Sequence, residues 1–482
     1  MSKSSANDFP IGILHQHLGA YVFQFRCRLY NQPNQCEDAR YKNQHRAFVL
    51  TDMSNEPDDQ MSLVRLLTYA NEIDIVGIAG ITSIHKNDSI DHDTIREVIH
   101  AYGNVTDSLN AHVPASAPYP SSDALLSKLS LGHPVYGLES LKLNISDAGL
   151  ALIKAGDEGS AEKPLWIQCW GGASVVAEAL NHVQKTRSAE ELSEFIKKLR
   201  VYSISDQDDA GAWIRVNFPR LFYVVSIHAM SEYGLAGWSG ISGEQYRHFE
   251  LGGPDSSLVT NEWLEEHVRV GTLGAHYPVY TFIMEGDTPA YLGLIQNGLG
   301  DPEHPEWGNW GGRHNLVDKS GRYLLYSDAA DWVVGMNNVT YLTRYGTIWR
   351  WRREYQYDFA ARMQWTLGQN STDANHAPVA IINGSCGPEI IQMTYKLGDS
   401  IVLDASESWD PDSDQLSVTT TKQGGTWDRV SKNITIENVN EQGSIVKVTP
   451  QDSSEMHLIL QLEDDREMEL TTYRRVILYP EA

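Results

Sequence analysis

The chain has 482 residues, with 63 Asp and Glu set against 38 Lys and Arg, for a net charge of -25. That balance argues against nucleic-acid backbones and anionic membrane surfaces as partners, and no apolar run approaches the roughly 18 residues of a membrane span. A mean hydropathy of -0.36 describes a soluble globular protein, and the length suits two domains, one large and one small.

Residues 1–45 read as an N-terminal extension that need not be ordered. His15, Gln16 and His17 interrupt the apolar stretch Ile11 to Phe25, so it does not read as a signal peptide. Seven glycosylation sequons, at Asn87, Asn104, Asn144, Asn338, Asn370, Asn383 and Asn433, nevertheless favour secretion. The cysteines are Cys27, Cys36, Cys169 and Cys386, without zinc spacing. The first two allow a disulfide, and Cys169 falls in an apolar strand as a buried thiol.

The large domain is organised around Ala47 to Leu67. An apolar run, Ala47 to Leu50, opens into a loop with Asp52, Glu56, Asp58 and Asp59, and a helix-period segment places Met61, Val64 and Leu67 on one side. Four carboxylates within eight residues repel one another unless a cation or a shared proton neutralises part of the charge. A solvated acidic helix N-terminus is the alternative. The run Ile73 to Ile81 predicts a second strand, ending near Ser83 and followed by a helix over 90–102. Strand and helix in alternation at short spacing mean a parallel sheet.

Pro164 to Trp170 predicts a third strand, running into Gly171, Gly172, Ala173 and Ser174 and then a helix over Val175 to Val183. Leu199 to Ser205 and Leu221 to Ile227 have the continuous apolar character of buried parallel strands, and the first feeds Asp206, Asp208 and Asp209. VYTFIM, Val279 to Met284, reads as one more strand, delivering Glu285 and Asp287 to the sheet's carboxyl end, where α/β folds bind ligands. Trp307 and Trp310, in a Gly- and Pro-rich segment, suit either an aromatic wall for a sugar or closure of the core.

These pieces resemble a family. TDMSNEPDD, WGGAS, SDQDD, MEGDTP and GDPEHPEWGNWGGR, in that order along the fold, are similar to the nucleoside hydrolases and more closely to the cellulose-binding nucleoside-hydrolase-like proteins. In the latter this domain is joined to a C-terminal immunoglobulin-like domain. The likeness runs from Arg46 to the chain end. It implies a mostly parallel sheet flanked by helices over 46–368, hydrolysis of an N-ribosyl or related furanosyl bond, and one Ca²⁺. Laid on DMSNEPDD, the family's DxDPGxDD pattern makes Asp52 and Asp59 metal ligands, with Asp58 contacting sugar hydroxyls. Ser174 then supplies a carbonyl and Asp287 is the distant ligand. Ser54 stands where the family has the aspartate that binds metal and acts as general base, so Asp52 is the preferred base. Gly286 stands where many active members carry a histidine. Glu56, Ser83, Asp206, Asp208, Glu285, Trp307 and Trp310 are the further sugar-contact candidates.

After a linker at 369–376, residues 377–482 alternate short β runs with turn clusters, which predicts a small sandwich. Its LDASESWDPDSDQL stretch resembles the acidic loop of polycystic-kidney-disease-type modules. Asp404, Asp410, Asp412 and Asp414 there suit a Ca²⁺ site or, preferably, a hydrogen-bonded turn. Trp409 and Trp427 are polysaccharide candidates. The expected partner is a small nucleoside, glycoside or polysaccharide, with a homodimer allowed; the alternative to an enzyme is a non-catalytic carbohydrate-binding protein.

Overall fold

The computed structural model describes residues 36–422 and 434–481. Its central strand is β1 (His45–Thr51), buried at every position but the first. The alternation of a strand sends its side chains into two cores. Ala47 and Val49 join Met61, Val64 and Leu67 of helix α1 (Asp58–Leu67). Phe48 and Leu50 meet Val175, Val176 and Leu180 on the other face. A sheet covered on both sides has no solvated face, which is why its strands read as unbroken apolar runs.

Strands β2 (Ile73–Gly80), β3 (Leu129–Leu131), β4 (Leu165–Cys169), β5 (Leu199–Ser205), β6 (Phe222–Ser226), β7 (His314–Leu316) and β8 (Leu325–Asp328) complete the sheet, in the order β3-β2-β1-β4-β5-β6-β8-β7. Every pairing is parallel except β7 with β8. Helix α2 (Asp93–Gly103) follows β2, and Ser174–Thr186 follows β4. The β1–β2 register slips between Ala47 and Phe48. At that slip a Cβ on Gly77 would sit 2.2 Å from the Phe48 ring, so only glycine fits under the phenylalanine.

One expected strand is absent. Val279 to Met284 forms no ladder; the Ser242 hydroxyl accepts the Met284 amide at 2.8 Å and bonds its carbonyl at 2.9 Å, satisfying the backbone without a neighbouring strand. The apolar character of VYTFIM reports burial rather than pairing.

The C-terminal region is a sandwich. One sheet holds Ile391–Tyr395, Thr471–Pro480, Met456–Glu463 and Ser417–Lys422, and the other Ile401–Asp404, Ile445–Pro450 and Ile434–Asn438. Its own core includes Leu403, Val448, Leu458, Leu460 and Val476. The acidic loop is a turn: Asp410 accepts the amides of Asp412 and Asp414 at 2.8 and 3.1 Å. Asp414 is spent on Arg466 and Asp412 on His376.

The sandwich is docked, not tethered. Arg475, buried, bonds the carbonyls of Leu299, Trp307 and Gly308, and the Tyr473 amide bonds the Asn297 carbonyl at 2.8 Å. Cys36 pairs with Cys386, at a Cα–Cα distance of 5.6 Å. This takes the place of the Cys27–Cys36 bridge that the sequence allowed, because folding brings residue 386 beside the start of the described chain. Residues 36–44 are accordingly packed rather than loose, with Arg40 paired to Glu72 at 3.0 Å. Cys169 is the buried free thiol expected. Cys27, Trp427 and Asn433 lie outside the described residues. Among the described residues no helix is long and apolar enough to cross a membrane.

Candidate active site

The carboxyl end of β1 leads into the acidic loop, and α1 carries Asp58 and Asp59 in its first turn. Asp287 comes from the segment before the short helix Pro289–Leu292. Carboxylate oxygens of Asp58, Asp59 and Asp287 lie within 4.8 Å of one another, and all three residues are buried. Thr51 bonds Asp59 through its hydroxyl, and one Asp287 oxygen has no hydrogen-bond partner among the described residues. Asp52 stands beside this set without joining it. The Ser83 hydroxyl bonds Asp52, and a Cβ on Gly171 would come within 2.5 Å of the Asp52 carboxylate. Gly171 is therefore what lets the β4 turn close over the acid.

Burial raises the proton affinity of every member, and mutual repulsion adds to it. Asp58 is pushed up to about 7, first by burial and then by Glu56 and Asp52. Burial, followed by their neighbouring carboxylates, holds Asp59 and Asp287 well above the ordinary range. Asp52 is raised by burial, against the pull of Ser83, His85 and Lys86. Hard oxygen donors converging without a cationic side chain among them could hold a metal ion.

The other candidates separate. Glu56, raised by burial, interacts with Asp52, His85 and Arg247 at the rim. Ser83 is spent locally, bonded to Asp52 and accepting the amide of His85 at 3.1 Å. Ser174 starts its helix with its amide bonded to Asp208 at 3.1 Å, and Asp208 also takes the Ala210 amide at 2.9 Å. Asp208 thus braces the Gly171–Gly172 turn and is pushed up to about 6 by burial. Asp206 pairs with Arg215 through both oxygens, at 2.7 and 2.6 Å.

Glu285 is engaged elsewhere. Its φ of 54° turns it away from Asp287 into a buried pair with Arg65 at 2.7 Å, where it also accepts the Tyr277 hydroxyl at 2.5 Å. Trp310 is 1% exposed and bonds the Tyr473 hydroxyl in the domain junction. Trp307 stacks on His304, with centroids 3.9 Å apart, and meets His457 edge-on. Both tryptophans pack at the junction.

The two departures from the family pattern have structural counterparts. Ser54, at φ 68°, donates its hydroxyl to Asp91 at 2.6 Å, outside the acidic set. A Cβ on Gly286 would lie 2.6 Å from an Asp58 oxygen and 3.0 Å from the Trp238 ring, so Trp238 fills the space of a side chain there. The segment after β6, unread in the sequence, supplies the rest of the rim. His85 Nε2 and the Tyr233 hydroxyl are 2.8 Å apart, His228 packs edge-on against Tyr233, and Trp238 donates to Ser205 at 3.0 Å. A His, Tyr and Trp within HAMSEYGLAGW, leaving a strand's carboxyl end, was the available signal.

This parallel sheet with acids at its carboxyl end defines a nucleoside-hydrolase-like domain. The chain belongs to the family described as cellulose-binding Sde182, nucleoside hydrolase-like domain, matched over residues 46–314, and its sandwich matches the C-terminal domain of cellulose-binding protein Sde0182 over residues 400–480. Among solved structures it is similar to a nucleoside hydrolase-related hypothetical protein from Saccharophagus degradans associated with carbohydrate metabolism. That likeness has 30% identity over 91% of this chain and 100% of that one, with a TM-score of 0.74. The effector protein XOO4466 (11% identity, 70% and 97% covered, TM-score 0.32) and a PKD domain (24%, 19% and 82%, 0.15) are too distant to carry an argument. No curated protein matches the chain.

Proposed function

We propose that the chain is a Ca²⁺-dependent hydrolase of an N-ribosyl or related furanosyl bond. The observation that carries this reading is the convergence of three buried carboxylates, with one Asp287 oxygen unpartnered among the described residues. Asp58, Asp59 and Asp287 would hold the ion, with the Ser174 carbonyl as a further ligand and Asp52 beside the set. When bound, the cation supplies charge neutralisation and acidifies a coordinated water. Asp52 is the base that takes the water's proton, and Asp58 orients the sugar hydroxyls. The acidic floor favours the positive charge that develops on the sugar ring. His85 and Tyr233, bonded to each other at the rim, are the donors available to a leaving group. The family's name and the relative's link to carbohydrate metabolism support a sugar substrate. Six described sequon asparagines on the exposed surface, together with the disulfide, support export into an oxidising compartment.

The test is release of free sugar from a panel of nucleosides and aryl furanosides, with Ca²⁺ or chelator, by wild type and Asp59→Ala. Chelator-sensitive turnover lost in the variant supports the hydrolase. The outward turn of Ser54 and the Trp238 ring at Gly286 favour a second reading, a non-catalytic carbohydrate-binding protein. Retention on cellulose, with no furanoside turned over by a folded, Ca²⁺-loaded protein, would select it.

A further inference from the structure

The mouth of the acidic site holds an arginine that the protein leaves without an acid. Arg247 closes the short helix Glu244–Arg247. Its stem crosses Gly234, where an added Cβ would lie 3.5 Å from Arg247 Cδ and 3.6 Å from Nη1. The guanidinium lies against the rings of Tyr233 and Tyr246, 5.9 and 5.6 Å from their centroids. Tyr233 is the ring whose hydroxyl meets His85 Nε2 at 2.8 Å, and it packs on Trp238, which fills the space beside Gly286 and Asp58. Contacts thus run from Asp58 through Trp238 and Tyr233 to Arg247 and the exposed ring of Tyr246.

Elsewhere in this domain a buried guanidinium has its carboxylate. Arg65 has Glu285, Arg215 has Asp206, Arg352 has Glu244 and Arg362 has Glu72. Among the described residues half-buried Arg247 forms no ion pair, and its Nε, shielded from solvent, has no hydrogen-bond partner. The nearby acids are committed. Glu244, one turn back on the same helix, accepts from both terminal nitrogens of Arg352. Glu250 takes the Trp349 indole at 2.6 Å. The charge of Glu56 reaches Arg247, but the two side chains do not bond. Burial therefore strips water from this cation and returns no anion, which costs free energy until a ligand supplies one.

We propose that Arg247 is a subsite for an oxyanion, a carboxylate or a phosphate, carried by the leaving group of the substrate. The assignment rests on the hydrolase reading, which makes His85 and Tyr233 the leaving-group side. The acidic floor repels an anion, so a negative group fits this site only away from Asp52, Asp58, Asp59 and Asp287, at the lip where Arg247 stands. The guanidinium fork presents paired N–H donors that suit two oxygens of such a group. Lys86, bonded to the Met53 carbonyl at 2.5 Å, adds the same sign at the mouth, and its charge reaches Asp52. Tyr246, 55% exposed, offers a flat face beside the guanidinium for a ring that bears the anion.

Three aryl ribofuranosides that differ only in the para substituent, carbamoyl, carboxylate or phosphate, test this on the Ca²⁺-loaded full chain, by equilibrium binding and by release of free sugar. Wild type should bind one of the two anions at least about tenfold more tightly than the neutral carbamoyl compound, and the larger gain names the anion. Arg247→Gln should erase that preference. Should the variant fail to fold, phenylglyoxal labelling of wild-type Arg247, mapped by mass spectrometry, takes its place: the preferred anion should block it and the carbamoyl compound should not. Equal affinity for all three compounds, a preference that survives Arg247→Gln, or labelling that the anion leaves unblocked would overturn the subsite. So would a nucleoside 5′-phosphate preferred over its nucleoside with no preference in the aryl series, which would put the anion on the sugar. The preference without sugar release would keep the subsite and sink the hydrolase; sugar release without the preference would do the reverse.

Discussion

Replacing Asp58 by Asn separates a cation site from a merely buried acid. Asp58 keeps its proton up to about 7, against an ordinary 3.8, so charging it inside the chelated fold costs about 4 kcal/mol more than charging it in the unfolded chain. The folded state then holds a proton that the unfolded state has released. Stability of the metal-free protein should fall as pH climbs from the unfolded value through about 7, and Asp58→Asn should remove that share of the fall. In chelator at pH 8 the variant should be the more stable protein, by up to about 4 kcal/mol. Saturating Ca²⁺ should close most of that gap, since a ligand at a hundred times its Kd adds about 2.7 kcal/mol to the wild type. Urea midpoints at pH 5 and pH 8, with chelator or Ca²⁺, measure all four quantities. A variant less stable than wild type in chelator at pH 8 would refute the electrostatic reasoning.

Other substitutions probe the surroundings. Glu285→Gln leaves Arg65 buried and unpaired, so a loss of about 3–5 kcal/mol is expected in urea unfolding; unchanged stability with weaker substrate binding would return Glu285 to the site. Cys36→Ser, or reduction, should cost about 2–4 kcal/mol by freeing the loop the disulfide closes, and an unchanged melting temperature would deny the bridge. Gly286→Ala forces a methyl against Asp58 and Trp238. Calorimetry should find Ca²⁺ bound at least tenfold more weakly, whereas equal affinity would place Asp58 elsewhere.

The central strands were legible because burial on both faces writes itself as continuous β-branched runs, and the acids because they follow those strands directly. Asp287 and Glu285 show the limit. They are two residues apart and chemically alike, yet the positive φ of Glu285 sends it to Arg65, a partner 220 residues away. The partner of Cys36 was hidden for the same reason, since its separation from Cys386 is 350 residues. Trp307 and Trp310 suited a sugar wall as well as core closure, because composition does not say that a second domain will cover them. The rim residues Tyr233 and Trp238 sit on short turns without periodicity, so their only mark was their place after a strand's carboxyl end, before the fold brought them beside Asp52 and Asp58.

The most direct measurement is a calorimetric titration of the chelated full chain with Ca²⁺, alongside Asp287→Asn. The account predicts one ion bound to the wild type and that ion lost in the variant, because the unpartnered Asp287 oxygen is part of the donor set. Wild type and variant binding Ca²⁺ alike, or neither binding it at millimolar concentration, would contradict the metal site on which the proposed hydrolysis depends.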